Sequence, residues 1–562
     1  MTSQLYKPLL KKRLSLIGEV ARRRGDSLKQ KLAIISNLII PGIVRGKEYQ
    51  SQRELADKVI SEFSTESDLE FQGTVLIDAQ WDNPNHWIRY ALLRSALGLA
   101  RSREIGILGE FRNEWCTRTL KSFGIQEIIN CSSWDPNGQN LYQEAQTILE
   151  GTKSAEDILQ WQLPENLPAA LVYDGFLKKQ KSGYVRHEDP QLIKYLIQVL
   201  TYIYRAKQII TSYPFDLLVV SHINHYRYSP LVWMALQRKI PVIRIHENYG
   251  VAGFVKLATP SDIFQGINRI QMADYQQLSV KQINQLAGIG QSYLKMRRAG
   301  KTDDIAAIFA YQKKNEFVDR RKLLDAFSWD QEKPVIGIYA SRWFDFPHNL
   351  GMANFRDFWD WIQTTIDVVF KNQGVNWLFK DHPTNEWVQG AALKEIVPSG
   401  DTCQHLQVVP NDWSSAAVMD CLDGLITYHG TAGIECAALG KPVLVADKGW
   451  YHDFGFVKWA RSREEYLQAL GTQWWKELDL QKTTKLAQVF AGLHFGKPSW
   501  QNSFVLEFDS VQDEIYKKVP SLFSPENEPA IAQEIATIRE WFYSDSCHYH
   551  TYKMSHAESF TP

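Results

Sequence analysis

The run Asp423-Gly-Leu-Ile-Thr-Tyr-His-Gly-Thr-Ala-Gly-Ile-Glu-Cys-Ala-Ala-Leu-Gly-Lys-Pro-Val-Leu-Val-Ala446 reads as strand, glycine-bearing turn, helix and strand. Two short Val/Ile/Leu runs flanking an Ala-rich helical stretch are the unit of a parallel sheet with crossover helices. Gly430 and Gly433 bracket Thr431 where the helix should begin. Glycine there permits close backbone approach and unusual φ/ψ, and a helix N-terminus offers N–H donors to a phosphate. Thr427 and Thr431 add hydroxyls, and Glu435 is expected in the first helical turn. There it either accepts hydrogen bonds from ribose hydroxyls or complements the helix dipole. The spacing matches neither Gly-x-x-x-x-Gly-Lys-Ser/Thr nor Gly-x-Gly-x-x-Gly. A purely structural strand-to-helix turn is the competing reading.

Upstream of this run, further strands are expected at 334–340, 375–380 and 406–409. Lys380, His382 and Pro383 fall just past the second of these, where a cation, an imidazole and a fixed turn suit a phosphate. Arg342 follows the first and is a third candidate anion contact. Another series of apolar runs occupies 74–78, 104–108, 126–130, 169–173, 216–221 and 241–246, separated by helical patterns. Most lack polar alternation, as strands buried on both faces do. The expected class is therefore α/β, with two Rossmann-like doubly wound domains facing across a crevice and helical additions at both ends. The boundaries are a basic N-terminal segment at 1–68, a first domain at 69–270, a helical linker at 271–330, a second domain at 331–519 and a C-terminal helix and tail at 520–562.

The 562 residues carry 63 Lys+Arg and 63 Asp+Glu, so a uniformly basic field for nucleic acid is absent. Residues 1–31 nevertheless hold nine Lys/Arg against Glu19 and Asp26, a formal +7, with Leu and Ile interspersed. That pattern fits either an amphipathic helix on an anionic membrane or a solvated basic helix. Without a signal peptide or a run of ~18 apolar residues, the expected location is cytoplasmic, with peripheral contact at the inner membrane face as the membrane-bound option. Six cysteines without a Cys-x-x-Cys pair read as free thiols. Trp81, Trp87, Trp343, Trp387 and Trp450 stand in or beside the strand-end segments, where they either stack on sugars or pack in the core.

The Lys-x-His-Pro element, with the Thr-x-x-Gly-Thr-Ala-Gly-Ile-Glu run and the Ala-Leu-Gly-Lys-Pro-Val that closes it, resembles the C-terminal domain of bacterial capsule and surface-polysaccharide glycosyltransferases of the GT-B architecture. Relatives of that family are capsule Kdo transferases, His-Pro-motif sialyltransferases and, more distantly, CDP-glycerol polymerases. The resemblance implies a CMP-, UDP- or CDP-linked sugar donor on the second domain and a glycan or lipid-linked glycan acceptor on the first. By position, His382 and Pro383 match the nucleotide-binding pair, Thr427, Gly430 and Thr431 the phosphate turn, and Glu435 the helix glutamate. The local order Lys-Asp-His-Pro departs from the commoner Lys-Pro-His-Pro.

Such a transfer needs a base or nucleophile and stabilisation of the departing phosphate. No Asp-x-Asp occurs anywhere, so neither metal nor cofactor is expected. Asp174, placed after the expected 169–173 strand and before Gly175, is the first catalytic candidate; it is similar to the Asp-Gly of the sialyltransferase-like Asp/Glu-Asp-Gly element. His222 and His225 after another strand are the others. Asp82, His86, Arg227 and Glu247 are acceptor-side candidates. The alternatives are a CDP-polyol phosphotransferase, a nucleotide-sugar epimerase and a non-catalytic polysaccharide-assembly protein.

Overall fold

The structure is a computed structural model describing residues 47–549, apart from 66–68, 110–113, 132–135, 137–139, 247–252, 265–269, 302–306, 308–309, 312–317, 383–391, 401–402, 411 and 497–511. The basic 1–31 segment, Glu247, Pro383 and Trp387 therefore lie outside the described residues.

Two six-stranded sheets organise the chain. The first comprises β1 (Thr74–Asp78), β2 (Arg103–Leu108), β3 (Glu127–Asn130), β4 (Leu217–Val220), β5 (Val242–His246) and β6 (Gly253–Leu257) in the order 3-2-1-4-5-6. All neighbours are parallel except β6, which runs antiparallel to β5. Helices α1 (Lys47–Thr65) and α2 (Pro84–Leu97) cover one face, and α3 (Ala169–Gln180) and α4 (Pro190–Ser212) the other. Strand alternation assigns the faces: Val75, Ile77, Leu217 and Val219 point to α2, whereas Leu76, Leu218 and Val220 point to α3 and α4.

The second sheet comprises β7 (Val335–Tyr339), β8 (Asn376–Lys380), β9 (Leu406–Val408), β10 (Gly424–Thr427), β11 (Val443–Val445) and β12 (Lys458–Trp459). Its order, 9-8-7-10-11-12, repeats the first with every pair parallel. This is the doubly wound Rossmann order, so the chain contains two Rossmann-like domains. The long helix α5 (Val280–Arg298) runs against α7 (Leu480–Phe495), behind α6 (Thr431–Ala438). At that crossing a Cβ on Gly290 would collide with Gln488 O, and one on Gly492 with Leu286 O, so only glycine lets the backbones meet. Helix α5 thus packs on the second domain rather than bridging freely. Helices α8 (Gln512–Leu522) and α9 (Glu528–Tyr543) return to α1 and α2. One apolar cluster runs from α3 and α4 into Ile336, Ile338 and Trp361, joining the two domains.

The expected strand at 169–173 is overturned: Ala169–Gln180 is a helix. A short apolar run reads alike as buried strand or buried helix, and only the length of the element separates them. Gly175 sits where Tyr195 Oη of α4 leaves no room for a Cβ.

Candidate functional site

In each sheet the strand order reverses between two neighbours, β1/β4 and β7/β10, and ligands of such folds sit beyond the carboxyl ends there. In the second domain Thr427 closes β10, its hydroxyl donating to Tyr339 O at 3.3 Å and accepting Gly430 N–H at 3.3 Å. Gly430 has φ −70°, so the unusual backbone expected from the sequence is not what requires glycine. Gly433 is required for space, because a Cβ would strike Tyr451 Oη, which donates to Gly430 O at 2.7 Å. The N-cap residue of α6 is Gly430, which has no side chain to cap the helix. Lys380 ends β8 with Nζ 5.7 Å from the Tyr339 ring centroid, and His382 follows it. Arg342 lies over the Phe344 ring at 4.8 Å, and its buried Nε has no hydrogen-bond partner among the described residues.

Glu435 lies in the second turn of α6, not the first, and is buried. It accepts from Arg297 Nε at 2.9 Å and from Tyr311 Oη at 2.5 Å, while Arg297 Nη2 reaches Thr431 Oγ1 at 3.3 Å. Its carboxylate is engaged by protein donors rather than left open to ribose hydroxyls. Arg297 comes from α5 and carried no sequence signal.

A seam between the domains forms where α3 meets the loop after β7. Asp174 is wholly buried: Oδ1 lies 2.7 Å from His348 Nδ1, and Oδ2 accepts Asn349 N–H at 2.9 Å. One turn on, Lys178 Nζ donates to Asp345 Oδ1 at 2.7 Å, and Tyr173 Oη to Asp357 Oδ2 at 2.5 Å. Burial would lower the His348 pKa, but the Asp174 carboxylate outweighs it and raises it above the ordinary range. Burial would raise Asp345, yet Lys178, then Arg342 and His382, hold it below.

In the first domain, β1 ends at Asp78, and Ser221 and His222 follow β4. Ser221 Oγ is 2.9 Å from Asp78 Oδ2 and 3.0 Å from His222 Nδ1. Neither Asp78 nor Ser221 was singled out by the sequence, since an aspartate ending a strand is indistinguishable from a turn residue. Burial raises the Asp78 pKa, while the same cause, with Arg244, His86, His225 and Lys178 adding to it, lowers His222 to about 3. Trp81 meets the His222 ring edge-on at 4.7 Å, and Tyr228 stacks on it at 5.1 Å. His225 sits at φ 74° and its carbonyl accepts from Ser229 N and Tyr228 N, so it serves the turn that opens a helix. Burial first, then Arg227, lowers its pKa to about 3. Arg227 stands beside this cluster, its carbonyl accepting from Gln80 Nε2 at 3.4 Å.

The remaining acceptor candidates fare differently. Asp82 is gripped by both Nη atoms of buried Arg53, at 2.8 and 3.0 Å, which pins α1 to the β1–α2 turn. His86 has no exposed surface, and burial lowers its pKa to about 4, so it is a core histidine in this structure. Trp87 and Trp343 are likewise core, correcting the stacking role considered for them. Among the described residues no group of three or more His, Cys, Asp or Glu is placed to hold a metal ion, and no helix is long and apolar enough to cross a membrane.

No protein-family profile and no curated protein matches the sequence. Among solved structures, the chain is similar to UDP-GlcNAc 2-epimerase from Neisseria meningitidis bound to UDP-GlcNAc (12% identity, 75% of this chain and 96% of that one, TM-score 0.24). It is also similar to the beta Kdo 2,4 transferase KpsC of Thermosulfurimonas dismutans (12%, 52% and 87%, TM-score 0.31). A third is a glycosyltransferase from Rickettsia africae (12%, 84% and 99%, TM-score 0.24). At such scores these likenesses carry no functional argument, and the Rossmann assignment rests on the strand orders themselves.

Proposed function

We propose that the protein is a GT-B glycosyltransferase that moves a sugar from a CMP-, UDP- or CDP-linked donor to a surface-glycan acceptor of capsule, O-antigen or exopolysaccharide type. The carrying observation is the pairing of two switch points of unlike chemistry, joined at the α3 seam. The second-domain side has the uncapped start of α6, Arg342, Lys380 and His382, a set suited to phosphate. The first-domain side has a carboxylate, a hydroxyl, an imidazole and an indole, each in contact with the next, a set suited to a sugar hydroxyl and its proton. Because both oxygens of Asp174 are engaged by His348 and Asn349, a nearby histidine serves better than Asp174 as the base. Thr427, Gly430, Thr431, Gly433 and Glu435 shape the phosphate turn, and residues 1–31 are the candidate contact with an anionic membrane.

The test is a thermal-shift series with CMP, CDP and UDP, followed by nucleotide release from the sugar-linked form of whichever one stabilises. Binding to the folded state must raise Tm. Acceptor-dependent nucleotide release is the expected outcome. Donor conversion without any acceptor would point to an epimerase, and no stabilisation by any nucleotide would end the transferase reading.

A further inference from the structure

Asp78 ends β1 and Ser221 directly follows β4, its parallel neighbour, so strand pairing brings them together across 143 positions. A hydroxyl has one proton to give. Asp78 accepts the Gln80 N–H at Oδ1, 3.0 Å away, and its carboxylate Oδ2 is a stronger acceptor for the Ser221 proton than a neutral imidazole nitrogen. Ser221 Oγ then accepts from His222, so the imidazole proton sits on Nδ1. His222 Nε2 keeps its lone pair and has no hydrogen-bond partner among the described residues. Trp81 at the ring edge and Tyr228 on its face hold the imidazole in place.

We propose that Asp78 and Ser221 are positioning residues that fix His222 as the Nδ1–H tautomer, leaving Nε2 as the general base for an acceptor sugar hydroxyl. The assignment rests on the transferase reading and names its base. In the step, the acceptor O–H proton passes to His222 Nε2 as the acceptor oxygen bonds to the anomeric carbon. The bond from that carbon to the donor phosphate oxygen breaks, and its electron pair leaves with the nucleotide. Nδ1–H stays bonded to Ser221 throughout, and the imidazolium returns its proton to solvent after release. Direct displacement of this kind inverts the anomeric centre.

The charges facing His222 set when the base is competent. Arg244 from β5, His86 from α2, His225 on its own loop and Lys178 from α3 bear on it, against the acid Asp78 from β1. Burial first, then the charges of Arg244 and Lys178, keep the ring neutral and weakly basic. An anionic donor phosphate entering the crevice favours the imidazolium and moves the group toward a useful range.

Histidine-selective ¹⁵N NMR of the full chain, with and without the stabilising nucleotide, reads the tautomer directly. The wild type is expected to show Nδ1–H at His222, with a pKa that rises on nucleotide addition. Ser221→Ala and Asp78→Asn are expected to lose the tautomer preference and shift the pH–rate profile while keeping the nucleotide-induced Tm rise. With oligosaccharide fragments of bacterial surface polysaccharide as acceptor, kcat should fall about 10–100-fold in each, with acceptor KM little changed. An Nε2–H tautomer in the wild type would mean the proton order runs outward from Asp78, and would overturn the assignment. So would a Ser221→Ala enzyme with the wild-type tautomer and pH profile, or a His222→Gln enzyme with undiminished transfer. A wild type that binds no nucleotide sinks the transferase reading instead, and the base assignment with it.

Discussion

The two sheets share one strand order, yet the imidazoles leaving their switch points are shifted in opposite directions. Beyond β1 and β4 stand a buried carboxylate, a hydroxyl and an imidazole pushed down to about 3. Beyond β7 and β10 stand helix N–H groups, Arg342, and an imidazole, His348, pushed up by a carboxylate from the other domain. On the proposed reading, the imidazole pushed down is placed to act as a base and the one pushed up to meet phosphate. The scaffold supplies the two positions, and the neighbours of each ring decide its chemistry.

The contrast can be broken at either end. His222→Gln is expected to cut transfer about 10²–10⁴-fold, the usual span for a general base, with nucleotide affinity within about twofold of wild type. Paired rate and calorimetric measurements check this, and equal loss of both would erase the division between the switch points. Next in size is Asp174→Ala, which leaves His348 Nδ1 and the Asn349 N–H without their carboxylate partner in the seam. Breaking a buried pair costs about 3–5 kcal/mol, so the first transition in urea should move to markedly lower concentration.

Gly433→Ala tests the second switch point alone. Overpacking against Tyr451 costs about 1–3 kcal/mol and should tilt the start of α6, weakening nucleotide binding roughly tenfold. Adding Tyr451→Phe should recover part of that loss in the same titration. The smallest effect is a pH dependence. The His348 pKa is raised, so its stabilisation is complete below the unfolded value of about 6.5 and is lost as pH rises through the folded value. The Tm difference between wild type and His348→Gln should therefore be larger at pH 6 than at pH 8. A difference growing with pH would show that His348 is held neutral.

Much of the fold was legible because buried parallel strands advertise themselves as uninterrupted apolar runs. Val75-Leu-Ile77 and Val335-Ile-Gly-Ile338 are of this kind and fall in strands β1 and β7. The edges were not legible: β6 is antiparallel and mixes Lys256 into its run, and β12 is two residues long. At Ala169–Tyr173 the apolar run misled, because burial on all sides removes the periodicity that tells a helix from a strand. Among the candidate site residues, Thr427 and His382 were visible from their strand-end positions and Gly433 from the glycine-bearing turn. Asp78, Ser221, His348 and Arg297 were not, since nothing within a few residues of any of them signals a partner.

The sequence alone determined the alternation of strands and helices, and hence two Rossmann-like units with a glycine-bearing turn in the second. Those features follow from local periodicity and backbone freedom, which nearby residues control. Only the tertiary structure decided that Asp78 meets Ser221 across 143 positions, Arg297 meets Glu435 across 138, and Asp174 meets His348 across 174. Such meetings depend on which strands pair and which helices cross. The pKa of each buried group, and so its chemistry, depends on charges brought within a few ångströms by that packing.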